Sequence, residues 1–167
     1  MREEDIAPSV NLLESMRSVG YSFEAALADL IDNSITAEAK TVDVDADVID
    51  GEFVTILDDG HGMDTGTARE ALRLAGSTGQ RDKHDLGRFG LGLKTASLSQ
   101  GRSVTVATRH HGETTVLRWD IDHVLETGRW SLLVLDESDS ARLPSWDQFD
   151  SQDAGTLVVW QNLDLLL

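Results

Sequence analysis

Apolar positions along the chain change their spacing several times, and each change marks a predicted element. In "SVNLLESMRSV", residues 9–19, the spacing is helical and Gly20 ends it. Ser22 has the chemistry of a helix cap, and Leu27, Leu30, Ile31 and Ile35 then recur on one face, which predicts a helix over about 23–38. The period falls to two in "KTVDVDADVI", a strand to about 49. Asp50-Gly51 reads as a hairpin turn, and "EFVTILD" as the returning strand. Asp64 is placed to cap a helix over about 65–75, and residues 76–88 are polar and loop-like. "FGLGLKTASLS" passes from glycines into a helical stretch. "RSVTVATRHH" and "GETTVLRWDI" form a second hairpin turning near Gly112. Residues 129–136 read as a strand, 137–153 as an acidic loop and "GTLVVWQNL" as a final strand.

Strands that arrive as hairpins, with helices interspersed, predict a two-layer α/β (α+β) sandwich. Its sheet would be mixed and mostly antiparallel, with helices on one face. The 167 residues, 40% of them apolar, suffice for one domain with a core. There is no cysteine, so disulfides and thiolate metal sites are excluded. "MREED" lacks an apolar signal core and no run reaches membrane-span length, so a cytoplasmic protein without membrane contact is expected. The formal charge of −16 repels phosphate backbones, so no direct nucleic-acid binding is expected of this segment. The terminal "DLLL" suggests the N-terminal part of a longer chain, or an interface.

Three stretches carry candidate chemistry. On the helix after Ser22, Asp29, Asp32, Asn33 and Thr36 share a sector roughly 100° wide. Its short carboxylates and amide suit a metal or a water better than bulk solvent. "ILDDGHGMD" sets Asp58 at a strand end beside Gly60 and Gly62, where glycine lets a ligand approach and Asp58 can accept from an amino group. An EF-hand counted from Asp59 fails, because His61 and Met63 fall on ligand positions and position six is Asp64. "GRFGLGLKTAS" places Gly87, Gly90 and Gly92 before a helix, where free N–H groups attract anions. Leu93 separates Gly92 from Lys94, so this is no Walker A loop. Arg81, Lys83, Arg88 and Lys94 nevertheless set four cations against Asp82 and Asp85.

In order and spacing, these boxes resemble the GHKL ATPase superfamily. It includes type II topoisomerase ATPase domains, the large heat-shock chaperone ATPase, sensor histidine kinases, and MutL- and MORC-type proteins. "DLIDNSITA" is similar to the family's Asn-bearing helix, Asp58-Asp59-Gly60-His61-Gly62 to its Asp-x-Gly-x-Gly box, and "GRFGLGLKTAS" to its lid-flanking glycine box. Gly155-Thr156 resembles its late Gly-Thr. "LIDNS" with "GLGLKTAS" looks closest to MORC-like and related bacterial ATPases.

The resemblance implies the Bergerat fold, ATP and Mg²⁺ as cofactors, and a role for each matching position. Asn33 would hold Mg²⁺ on the phosphates. Asp58 would take the adenine amino group with Thr156 in support. Gly60 and Gly62 would admit the base with Met63 packing nearby. Residues 76–92 would cover the phosphates, with Gly87, Gly90 and Gly92 in the glycine box and Lys94 adding charge. Hydrolytic members carry Glu four residues before the metal Asn, and here that position is Asp29, roughly 1.5 Å shorter in reach. The expectation is a slow ATPase acting as an ATP-dependent dimerisation switch. The alternatives are a nucleotide-gated module with little turnover and a histidine-kinase-type catalytic domain.

Overall fold

The Ser22 hydroxyl accepts the N–H of Ala25, and one residue later α2, Phe23–Thr36, begins. It follows a short α1, Leu12–Arg17. The computed structural model describes residues 2–18, 21–50, 52–74 and 92–164. β1, Val42–Asp47, and β2, Phe53–Asp58, form the first hairpin. Its connection is longer than Asp50-Gly51 alone implies. The Asp47 carboxylate accepts the N–H groups of Ile49 and Asp50, and this local side-chain turn ends the strand early.

Asp64 accepts the N–H of Thr67 and starts α3, Thr65–Leu72. Gly92–Ala96 form a π-helical turn that leads into helical residues 97–98. β3, Ser103–His110, and β4, Glu113–Asp120, are joined at His111-Gly112, both with positive φ. β4 ends where Asp120 caps α4, Ile121–Thr127, by accepting the N–H of His123, and left-handed Gly128 ends that helix. The expected strand over 129–136 contracts to β5, Leu133–Val134.

The segment 137–153, expected to be loop, holds α5, Glu137–Ser140, and α6, Trp146–Asp150. Its few apolar residues explain the difference. Phe149 is wholly buried and, with Leu143 and Trp146, seats the segment on the sheet. β6, Gly155–Gln161, completes the set.

The strand order is β1-β2-β6-β3-β4-β5, and every pairing among the described residues is antiparallel. The last strand in sequence thus lies in the middle. Alternation sorts the side chains. Val54, Ile56, Val104, Val106, Val158 and Trp160 face the layer made by α1, α2, α3 and the π-turn. Leu57, Ala107, Val116, Leu157 and Val159 face Leu143 and Phe149. The helical layer therefore covers one face, as expected, and α5–α6 seal part of the other. No helix among the described residues is long and apolar enough to cross a membrane.

Candidate functional site

The end of β2 places Asp58 beneath α2, and insertion of β6 beside β2 brings Thr156 directly opposite it. Asp58 is 6% exposed. One carboxylate oxygen, Oδ1, accepts the N–H groups of Gly60 (2.9 Å) and Thr156 (3.2 Å). The other, Oδ2, accepts the Ser34 hydroxyl at 2.8 Å. Burial pushes this carboxyl above the usual carboxylate range. The three donors oppose that shift, and the charge of Asp59 adds to it slightly. An ionised carboxylate offers about four acceptor positions. Three are used within the protein, and one on Oδ2 is left for a donor.

Asp58 borders a small cleft of about 40 Å³. Leu30, Ile56, Leu93 and Val158 make apolar walls, and Asn33, Gly62, Met63 and Thr156 complete it. At Gly62, φ is +69°, and a Cβ would fall 2.0 Å from the carbonyl oxygen of Arg109. No side chain fits there, and that contact presses the glycine turn against β3. Two bonds from β3 hold the turn in place: the N–H of Met63 donates to the Thr108 hydroxyl (2.8 Å), and His110 Nδ1 donates to the His61 carbonyl (2.6 Å). Gly155 is equally constrained, since a Cβ there would meet the Asp58 carbonyl oxygen at 2.1 Å. The same carbonyl accepts the Gln152 amide at 2.9 Å.

The residues singled out in the sequence divide into groups. Asn33, Asp58, Gly62, Met63 and Thr156 come together around the cleft, with Gly60 in the adjoining turn. Asp29 lies one turn earlier on α2, half-buried, and Tyr21 is its neighbour. Burial first, and then the charge and hydrogen bonding of Asp29, push the Tyr21 phenol up. Lys94 is turned towards α3, where its ammonium donates to the Arg73 carbonyl, and burial pushes its pKa down. Gly92 opens the π-turn. Gly87, Gly90 and the proposed phosphate cover, apart from Gly92, lie outside the described residues.

Three contributors were not singled out beforehand. Ser34 stands next to Asn33 in "DNS", and its role was readable only from the helical offset that aims it at the sheet. Thr108, fully buried, reaches Thr156 Oγ1 at 3.1 Å through the β3–β6 register. Gln152 arrives from the segment read as loop. A larger, mostly apolar groove of about 500 Å³ lies elsewhere, between α1, α3, β4 and β5, where Trp119 and Trp130 contribute to its wall. It has no polar constellation like that around Asp58.

A family model described as "Histidine kinase-, DNA gyrase B-, and HSP90-like ATPase" matches residues 21–156, which include every residue named around this cleft except Val158. The chain belongs to this GHKL-type ATPase family. Among curated proteins it is similar to ATPase morc-1 of Caenorhabditis elegans, 30% identical over 115 residues that make up 68% of this chain and 13% of the relative. It is also similar to ATPase MORC2 of Homo sapiens, 32% identical over 97 residues, 55% of this chain and 9% of the relative. A third relative is the structural maintenance of chromosomes flexible hinge domain-containing protein GMI1 of Arabidopsis thaliana. It is 34% identical over 120 residues, 59% of this chain and 7% of that protein. The GHKL chain thus spans a small part of the length of each.

Proposed function

We propose that residues 1–167 form one Mg-dependent ATP-binding and ATP-hydrolysing domain that works as a dimerisation switch in a longer protein. The observation that carries this reading is the unfilled acceptor position on buried Asp58. An adenine amino group satisfies it, whereas guanine presents a carbonyl there and sets acceptor against acceptor. The cleft now has room for about one water, so base entry requires outward movement of Met63 and Leu93, two flexible side chains on its wall.

Asn33 is the side chain available to Mg²⁺ in the cleft. No group of three His, Asp or Glu among the described residues is placed to hold a metal. That donor set fits Mg²⁺, which takes one or two protein ligands and fills its shell with phosphate oxygens and waters. When bound, Mg²⁺ would neutralise phosphate charge. Asp29 would accept the proton of the attacking water, and Lys94 reaches a phosphate only by releasing the Arg73 carbonyl.

A second reading, a nucleotide-gated module with little turnover, draws support from Asp29. It is a short acid, it neighbours Tyr21, and it does not border the cleft. Calorimetry with ATP and GTP tests the base pocket, and equal affinities would refute it. Phosphate release under saturating Mg-ATP separates turnover from binding alone. Light scattering with and without a non-hydrolysable analogue tests the dimer, which the switch reading requires to appear with nucleotide.

A further inference from the structure

β1 is the outermost strand. Val42–Asp47 pair with Asp58–Phe53 and with no other strand among the described residues. The N–H of Asp59 donates to the Thr41 carbonyl at 3.4 Å, which sets the phase of the ladder. Residues of an antiparallel pair alternate between bonding inward and facing away. The register is unbroken from Val42 to Asp47. Thr41, Asp43, Asp45 and Asp47 therefore turn their backbone groups to β2, and Val42, Val44 and Ala46 turn theirs outward. Such a row is a template for one more strand.

The side chains on this edge are sorted by face. Asp43, Asp45 and Asp47 stand opposite Leu57, Thr55 and Phe53, on the α5–α6 side. Val42, Val44 and Ala46 stand opposite Asp58, Ile56 and Val54, on the α2 side. Val44 is 45% exposed although its cross-strand neighbour Ile56 is 2% exposed. The apolar row continues past the strand into exposed Val48 and Ile49. Carboxylates alone would serve to keep other strands away, but an exposed aliphatic row on the opposite face does not serve that end.

Charge selects the occupant. A second copy added antiparallel, with the two faces of the sheet kept continuous, would set Asp against Asp, which is unfavourable. A basic segment meets the opposite sign. We propose that the outer edge of β1 accepts an extended segment of a partner protein in which Lys or Arg alternates with aliphatic residues. The basic side chains would lie over Asp43 and Asp45, and the aliphatic ones beside Val44. The Asp47 carboxylate already accepts two backbone N–H groups, so recognition of charge rests on the other two.

The test uses the whole chain and a fluorescein-labelled octapeptide of alternating Lys and Val. Controls are the same residues in two blocks and an alternating Glu-Val peptide. Anisotropy is expected to show binding of the alternating Lys-Val peptide at least ten-fold tighter than either control. Hydrogen exchange at Val42, Val44 and Ala46 should slow on its addition. Val44→Pro removes one outward N–H without touching the β2 ladder, as edge strands tolerate. It should weaken the peptide ten-fold or more while melting temperature and ATP affinity stay at the parent values. The double variant Asp43→Asn, Asp45→Asn should weaken binding similarly and flatten its salt dependence, which keeps the idea testable if the proline variant folds poorly. Equal binding of the block peptide, unchanged exchange at the outward amides, or full binding by the double variant would each overturn the proposal.

Discussion

At Asp58 two demands conflict. A buried carboxylate is costly to ionise, and three donors offset only part of that cost. Because its folded pKa is raised, the folded chain holds this proton more tightly than the unfolded chain does. Its contribution to stability therefore falls as pH rises from the ordinary carboxylate value towards the raised one. Asp58→Asn keeps an acceptor for Gly60 and Thr156, and the Ser34 hydroxyl can reverse. The variant should melt higher than the parent at pH 7, with the gap narrowing towards pH 4, while its affinity for ATP drops by about 1–3 kcal/mol. Thermal melts across that range and calorimetry check both halves. At Asp29 the expected effects are kinetic. Asp29→Asn should lower turnover on the order of 10²–10⁴-fold with Mg-ATP affinity nearly unchanged. Asp29→Glu should retain or raise turnover if the reach of a longer acid suits the cleft. Parent-rate hydrolysis by Asp29→Asn would mean that another group is the base.

Among the elements, α6 matters more to the cleft than its five residues suggest. Phe149 is buried against Leu57, Leu157 and Val159, and the Arg109 guanidinium lies 5.2 Å from its ring centre. Arg109 also donates to the carbonyls of Asp150 and Gln152, which fixes the turn from which the Gln152 amide reaches the Asp58 carbonyl. Phe149→Ala should cost about 3–5 kcal/mol of folding stability, the range for emptying a buried aromatic site. It should also weaken ATP, because the support behind Asp58 loosens. Urea unfolding gives the first number. A variant that loses stability but binds ATP as the parent does would separate α6 from the site.

Over the whole molecule, the ends of the described chain are joined by charge. Arg17 of α1, 5% exposed, donates to Asp164 and to the Leu98 carbonyl, and Arg102 bonds to Glu14, Asp122 and Asp164. Arg17 and Arg102 hold the Asp164 carboxyl below its ordinary range. The stability it adds is present above that range and is lost as pH falls through the depressed value. Asp164→Asn should cost about 1–2 kcal/mol at pH 7, discounted for partial solvent exposure. The difference should shrink as pH falls through the depressed value, as the parent carboxyl takes up its proton. Chemical unfolding at pH 7 and at successively lower pH measures it, and a loss that does not change with pH would mean that packing, not charge, is what the variant disturbs.

Local physics made much of this protein legible from its residues. Ser22 and Asp64 start helices because their side chains satisfy free N–H groups within three residues, and apolar spacing bounded by turn residues marked the five strands of six residues or more. The Asn-bearing helix, the Asp-x-Gly-x-Gly turn and the glycine box are likewise contiguous, so the sequence alone pointed to the family. The β4-to-α4 boundary is hidden in the sequence although Asp120 and Gly128 are ordinary cap residues, because "LRWDI" alternates through the cap into the first residue of α4. Pairings between distant segments leave no local trace. Only the tertiary structure decided that β6 would insert between β2 and β3, and that insertion sets Thr156 and Thr108 around Asp58. It also decided that Phe149 would turn an acidic stretch into a second covering layer, and that Lys94 would end on the Arg73 carbonyl. The physical reason is common to all of these. Burial and cross-strand bonding depend on what lies across a gap in space, and sequence spacing carries that information only within an element.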